Sequence, residues 1–133
     1  MKHIKYLIQF FLAIICFTIF KLIGANLSSK LSGKIFEVIG PFFRSKQLIH
    51  SNIKKAFPQI NSDNLEKISK LMWNNYGRVF AEYMFIKDFR EGKLQDKIKI
   101  EGQNIIDDIK SSGKQVIFIS GHFSNFELMA MHL

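Results

Sequence analysis

Gln115-Val116-Ile117-Phe118-Ile119-Ser120 running into Gly121-His122-Phe123-Ser124-Asn125-Phe126-Glu127 decides how this chain is read. The apolar, β-branched first half is the pattern of a buried strand. Gly121 lets the backbone turn, and His122 and Glu127 follow in a His-x4-Glu spacing. The segments before it extend the pattern. Lys97-Ile98-Lys99-Ile100-Glu101 alternates as a half-exposed strand does, and Asn104 to Lys110 has helical character and ends at Ser111-Ser112-Gly113 with the glycine as C-cap. A further helix is expected to open after His122. Strand, helix, strand, helix is the order of an α/β protein, so the expected class is α/β: an N-terminal membrane helix, a helical region, then the start of a mixed or parallel sheet with flanking helices.

The opposite end of the chain sets the compartment. Tyr6 to Ala25 is interrupted only by Gln9, Thr18 and Lys21, which is about the 20 residues needed to cross a hydrocarbon core. The stretch free of charge is shorter, Tyr6 to Phe20, which leaves open a tilted or interfacial helix with Lys21 snorkelling to the headgroups. Met1-Lys2-His3-Ile4-Lys5 would also serve as the charged start of a cleaved signal, but the apolar run is long for one and Ile23-Gly24-Ala25 is a poor cleavage site. The reading is therefore a retained anchor over 1–25 and a second region over 26–133. Lysines and arginines from Lys21 to Lys55 outnumber the two before the segment, placing the remainder on the cytoplasmic side by the positive-inside rule. Cys16 lies within the apolar run; alone, it forms no internal disulfide and reads as a small apolar residue.

Between these ends the pattern is helical. Leu31, Ile35, Phe36 and Ile39 form an apolar stripe opposite Lys30 and Lys34, and Gly40-Pro41 breaks it. A second basic stretch from Arg44 to Lys55 carries Leu48, Ile49 and Ile53. Both basic stretches read equally as solvated helix faces or as surfaces resting on anionic headgroups. Asp63-Asn64-Leu65-Glu66 resembles a capping box, and Leu65, Ile68, Met72, Tyr76, Val79 and Tyr83 predict a helix to about residue 86. Trp73 and Phe80 read as core, and Glu82 as a surface carboxylate.

Composition narrows the partners. A formal charge of +8 calls for anionic ones, and nucleic acid, anionic lipid and acidic protein all satisfy charge alone. The basic residues follow a hydrophobic segment rather than forming a separate tail, and 14 phenylalanines suit work against lipid, so lipid is preferred and nucleic acid is not expected.

On one helix, His122 and Glu127 would point about 140° apart and never meet. With His122 in the turn after a strand and Glu127 on the first helical turn, both converge. Glu127 would then accept from one imidazole nitrogen and fix the tautomer, leaving the other nitrogen to take a proton from a hydroxyl attacking an activated acyl group. Backbone amides after Gly121 are candidate oxyanion donors. His-x4-acid alone recurs by chance; its weight here comes from the apolar strand, the preceding glycine and the basic, anchored chain. His132 with His122 and Glu127 does not match HExxH-type metal spacing, and no metal or nucleotide is expected.

These residues resemble the late acyltransferases of lipid A biosynthesis, the lauroyl/myristoyl transferases of bacterial inner membranes. The resemblance rests on the anchor, Asn52-Ile53-Lys54-Lys55-Ala56-Phe57-Pro58, the helix bearing Tyr76-Gly77-Arg78 and Glu82, and above all Gly113 to Glu127. Phe126 stands where the family more often has Trp, and Ser124 where it more often has Gly. The resemblance implies transfer of a fatty acyl chain from acyl carrier protein to a hydroxyl of an anionic glycolipid, a lipid A precursor, with His122 as general base and Glu127 as its partner. It covers about the first half of a typical member, so the expectation is a truncated acyltransferase domain. The alternatives are a catalytically silent, membrane-anchored lipid-binding remnant and a glycerol-phosphate-type acyltransferase, which shares the His-x4-acid chemistry.

Overall fold

The computed structural model describes residues 2–130. Every regular element among them is helical: α1 (Lys2–Ile23), α2 (Ala25–Ile39), α3 (Lys46–Ala56), α4 (Ser62–Glu82), α5 (Ile86–Glu91), α6 (Gln103–Ser112) and α7 (Phe126–Ala130), with short 3-10 turns at Gly40–Phe42, Tyr83–Phe85 and Gln95–Lys97. The α/β expectation is overturned, because no strand and no sheet occurs among the described residues. Lys97 closes a 3-10 turn instead of opening a strand, and residues 115–120 are irregular. Apolar alternation selects the face a strand would bury, but a strand exists only when its N–H and C=O groups find a ladder partner. Here Ile117 and Ile119 are 90% and 94% exposed, and no described segment pairs with theirs.

Two compact units divide the chain, Met1–Phe85 and Ile86–Leu133. The first is organised by the α2–α4 seam, which is lined by small residues. Ser28, Ser29, Ser32 and Gly33 are the buried residues of α2, while Leu31, Ile35 and Ile39 face outward. Gly77 and Ala81 are the matching small residues on α4. A Cβ at Gly77 would run into the Ser32 carbonyl and the Phe36 side chain, so the two backbones approach as closely as they do only because that position has none. Buried hydroxyls would cost about 1–3 kcal/mol each if unpaired. Ser28 Oγ instead donates to the Phe20 and Gly24 carbonyls at 2.9 and 2.7 Å, and Ser69 Oγ to the Leu65 carbonyl at 2.9 Å.

The helix breaks at Gly24, whose φ of 81° suits glycine. Ala13, Cys16, Phe17, Phe20 and Ile23, at helical spacing, turn the C-terminal half of α1 onto this seam. The Phe80 ring gathers Phe17, Phe20 and Phe36 at centroid distances of 5.7, 6.3 and 5.6 Å. Phe80 is thus an aromatic junction of three helices, but at 38% exposed it is not the core residue expected. Trp73 closes the other end, its indole lying where a Cβ of Gly40 would be. Lys21 lies over the Phe85 ring with Nζ 4.8 Å from the centroid.

Helix α4 starts slightly earlier than the capping-box pattern predicts. Asn61 is the cap, its Oδ1 accepting from Asn64 N at 2.8 Å, and Asp63 sits in the first turn, where its charge suits the helix dipole. In the second unit α6 ends as expected at Gly113, which takes the left-handed conformation at φ 61°.

Candidate active site

The loop that carries His122 is built by local turns. A Cβ at Gly121 would collide with the Phe123 ring, which folds back over that glycine, and Phe123 N donates to the Gly121 carbonyl at 3.0 Å. Ser124 follows at φ 47°, the one non-glycine among the described residues with positive φ. That conformation costs an L-residue about 1–2 kcal/mol. It occurs at the position where a glycine is the commoner residue by the resemblance above. The Asn125 carbonyl then accepts from Leu128 N at 3.2 Å and starts α7.

Glu127 lies in the first turn of α7 and His122 in the loop before it, but that loop follows an irregular segment and not the expected strand. His122 is exposed and Glu127 half-buried. The residue that the sequence reading missed is Phe126. Its ring packs on the imidazole at a centroid distance of 4.3 Å and an interplanar angle of 37°, so the histidine has an aromatic wall holding one face. The signal for it was present in the sequence, because a residue four positions after a loop histidine at the opening of a helix falls on the same side of the turn. Ser120 ties the incoming segment to α7 through an Oγ–Sδ contact of 3.4 Å with Met129. His132, weighed above as a third ligand, lies outside the described residues.

A second polar cluster runs along the α2–α4 seam. Glu37, whose side chain is 9% exposed, accepts from Asn74 Nδ2 at 2.6 Å and from Lys34 Nζ at 3.0 Å, with Lys70 Nζ 3.8 Å away. The Lys34 hydrogen bond, followed by that of Asn74, holds the Glu37 carboxyl below its ordinary value despite partial desolvation. Asn74 Oδ1 accepts from Arg78 Nε at 2.7 Å, Arg78 Nη1 lies 3.5 Å from Ser29 Oγ, and Ser29 Oγ donates to Glu82 at 2.8 Å. Glu82, expected at the surface, is half-buried in this chain of contacts. The Asn52–Pro58 block ends in a cleft of ≈ 600 Å³ lined chiefly by apolar groups of Phe57, Pro58, Ile60, Ile68 and Leu71.

His122 thus lies in a loop against the Phe126 ring, with the Glu127 carboxylate on the first turn of the helix that follows. The chain matches the bacterial lipid A biosynthesis acyltransferase family over residues 1–133 and belongs to it. Neither the curated proteins nor the solved structures give a match.

Proposed function

We propose that this chain carries the base-and-carboxylate site of an acyltransferase that moves a fatty acyl chain from acyl carrier protein to a hydroxyl of a lipid A precursor. The observation that carries the reading is the Gly121-His122-x4-Glu127 loop opening into α7 within a chain that matches the family along its whole length. One imidazole nitrogen of His122 takes the proton of the acceptor hydroxyl as its oxygen attacks the thioester carbonyl. The carbon–sulfur bond then breaks, and the proton passes to the departing thiolate. Glu127 holds the other ring nitrogen and favours the imidazolium that forms. Amides after Gly121 meet the oxyanion. Phe126 limits rotation of the ring.

The membrane reading belongs with this function. Helix α1 passes the length and hydropathy requirements for a span, with mean hydropathy 2.2 in its most apolar window, and is the anchor in this reading. The surplus of lysine and arginine after it orients the site to the cytoplasmic side of the inner membrane, where basic surfaces meet an anionic glycolipid and an acidic carrier protein. The second reading, a chain that binds lipid without turnover, draws on the exposed Ile117 and Ile119 beside the histidine loop.

The test is transfer of label from radiolabelled acyl carrier protein to a lipid A precursor by membranes containing the 133-residue chain. Label that appears, and is lost in His122→Ala, supports the enzyme reading. Intact, membrane-inserted chain without transfer favours the silent one. Transfer that survives His122→Ala removes His122 from the mechanism.

A further inference from the structure

Helix α2 is inside out for a helix in water. Its buried face is Ser28, Ser29, Ser32 and Gly33, and its outward face carries Leu27, Leu31, Ile35 and Val38, the last 68% exposed. At 100° per residue Leu27, Val38, Leu31 and Ile35 fall within an arc of about 80°, a continuous stripe rather than scattered exposure. In the 3-10 turn that follows, Phe42 and its neighbour Phe43 are 87% and 74% exposed. Lys30 and Lys34 border one edge of the stripe, and Arg44 and Lys46 follow its end.

Small residues inward and branched apolar residues outward is the arrangement of a helix whose surroundings are less polar than its own interior.

We infer that α2 and the Phe42–Phe43 turn form a second membrane contact, with the Leu27–Val38 stripe and the turn seated in the acyl-chain boundary of an anionic bilayer and Lys30, Lys34, Arg44 and Lys46 at its headgroups. The inference rests on the membrane reading of α1. Unit one then grips the bilayer along two helices, and the Ser/Gly seam is the support that keeps α2 flat, about 5–10 Å below the headgroup level in the manner of interfacial helices.

The experiment places a single polarity-sensitive dye on cysteine in a Cys16→Ser background, at sites that point away from the seam, and helical circular dichroism checks that the background variant keeps its fold. Val38→Cys and Phe42→Cys probe the stripe and the turn, Phe11→Cys probes the anchor, and Ser51→Cys on α3 serves as the water control. The full chain is reconstituted in vesicles of phosphatidylcholine and phosphatidylglycerol bearing spin-labelled acyl chains. Blue-shifted, lipid-quenched emission at Val38 and Phe42, with none at Ser51, is the expected result, and the stripe signals should weaken when phosphatidylglycerol is omitted. Quenching at Phe11 alone would overturn the second contact while leaving the anchor standing. Quenching at no site would overturn both. Copy-to-copy crosslinking through Val38→Cys without lipid quenching would assign the stripe to a second copy of the chain and overturn the bilayer as its occupant.

Discussion

Unit one and the histidine loop solve opposite problems. Along α2 and α4 the backbones are brought together by removing side chains, with Gly33, Gly77 and the serines holding a seam whose polar groups answer one another across it. In residues 113–130 order comes from turns instead, through a left-handed Gly113, a Phe123 folded over Gly121 and a strained Ser124. The first region spends its glycines on packing, the second on direction. Stability and chemistry are therefore separable in this chain, and substitutions in one region should leave the other's readout unmoved.

The largest effect expected is on the chemistry. His122→Ala should lower acyl transfer by about 10²–10⁴-fold, the usual worth of a positioned general base. Urea unfolding of α1–α4 followed by helical circular dichroism should not change. A matching fall in stability would break the separation.

Gly77→Val attacks the other region. The added side chain must displace the Ser32 carbonyl and Phe36, with backbone among the obstacles, so unfolding in detergent should show a loss of about 3 kcal/mol, at the upper end of overpacking costs. Gly113 offers a contrast within the same residue type: nothing lies near its absent Cβ, but its φ of 61° disfavours a side chain. Gly113→Ala should therefore cost about 1 kcal/mol through backbone strain alone, read as fraying of α6 by hydrogen exchange.

Acid separates the regions by a third route. Lys34 and Asn74 hold Glu37 ionised below the ordinary glutamate value of 4.5, and Lys46 does the same for Glu66. A lowered folded-state value means that the unfolded chain binds the proton first. The stabilisation is then complete above pH 4.5 and fades as pH falls below it toward the folded value. Urea midpoints for unit one should drop as the pH falls below 4.5, and Glu37→Gln should flatten that drop.

The smallest effect has the opposite sign. Ser124→Gly relieves the φ of 47° and should stabilise the loop by up to about 1 kcal/mol, seen as slower exchange of the α7 amides.

What could be read from the sequence followed the same division. Helices α4 and α6 were legible because their caps and periods are local, down to Gly113 as a stop, and Gly121 marked a turn ahead of a helix, although the strand expected before it is absent among the described residues. The sheet was misread because an apolar run such as Val116–Ser120 states a preference for burial without naming what would bury it. Which face of α2 packs had no local mark either: the close approach of Gly77 admits only serine and glycine there, and Leu31 and Ile35 stay outside. Partnerships across the chain, such as Ser29 with Glu82, carry no local mark at all.

Trp73 is the only tryptophan in the chain, and it leans on Gly40 where α2 gives way to the Phe42–Phe43 turn. The molecule thus has its own optical gauge at a joint. Any event that lifts the turn away from α4 must change the solvent seen by a single indole. Its emission colour reports that joint directly, with no label attached and without disturbing the anchor or the histidine.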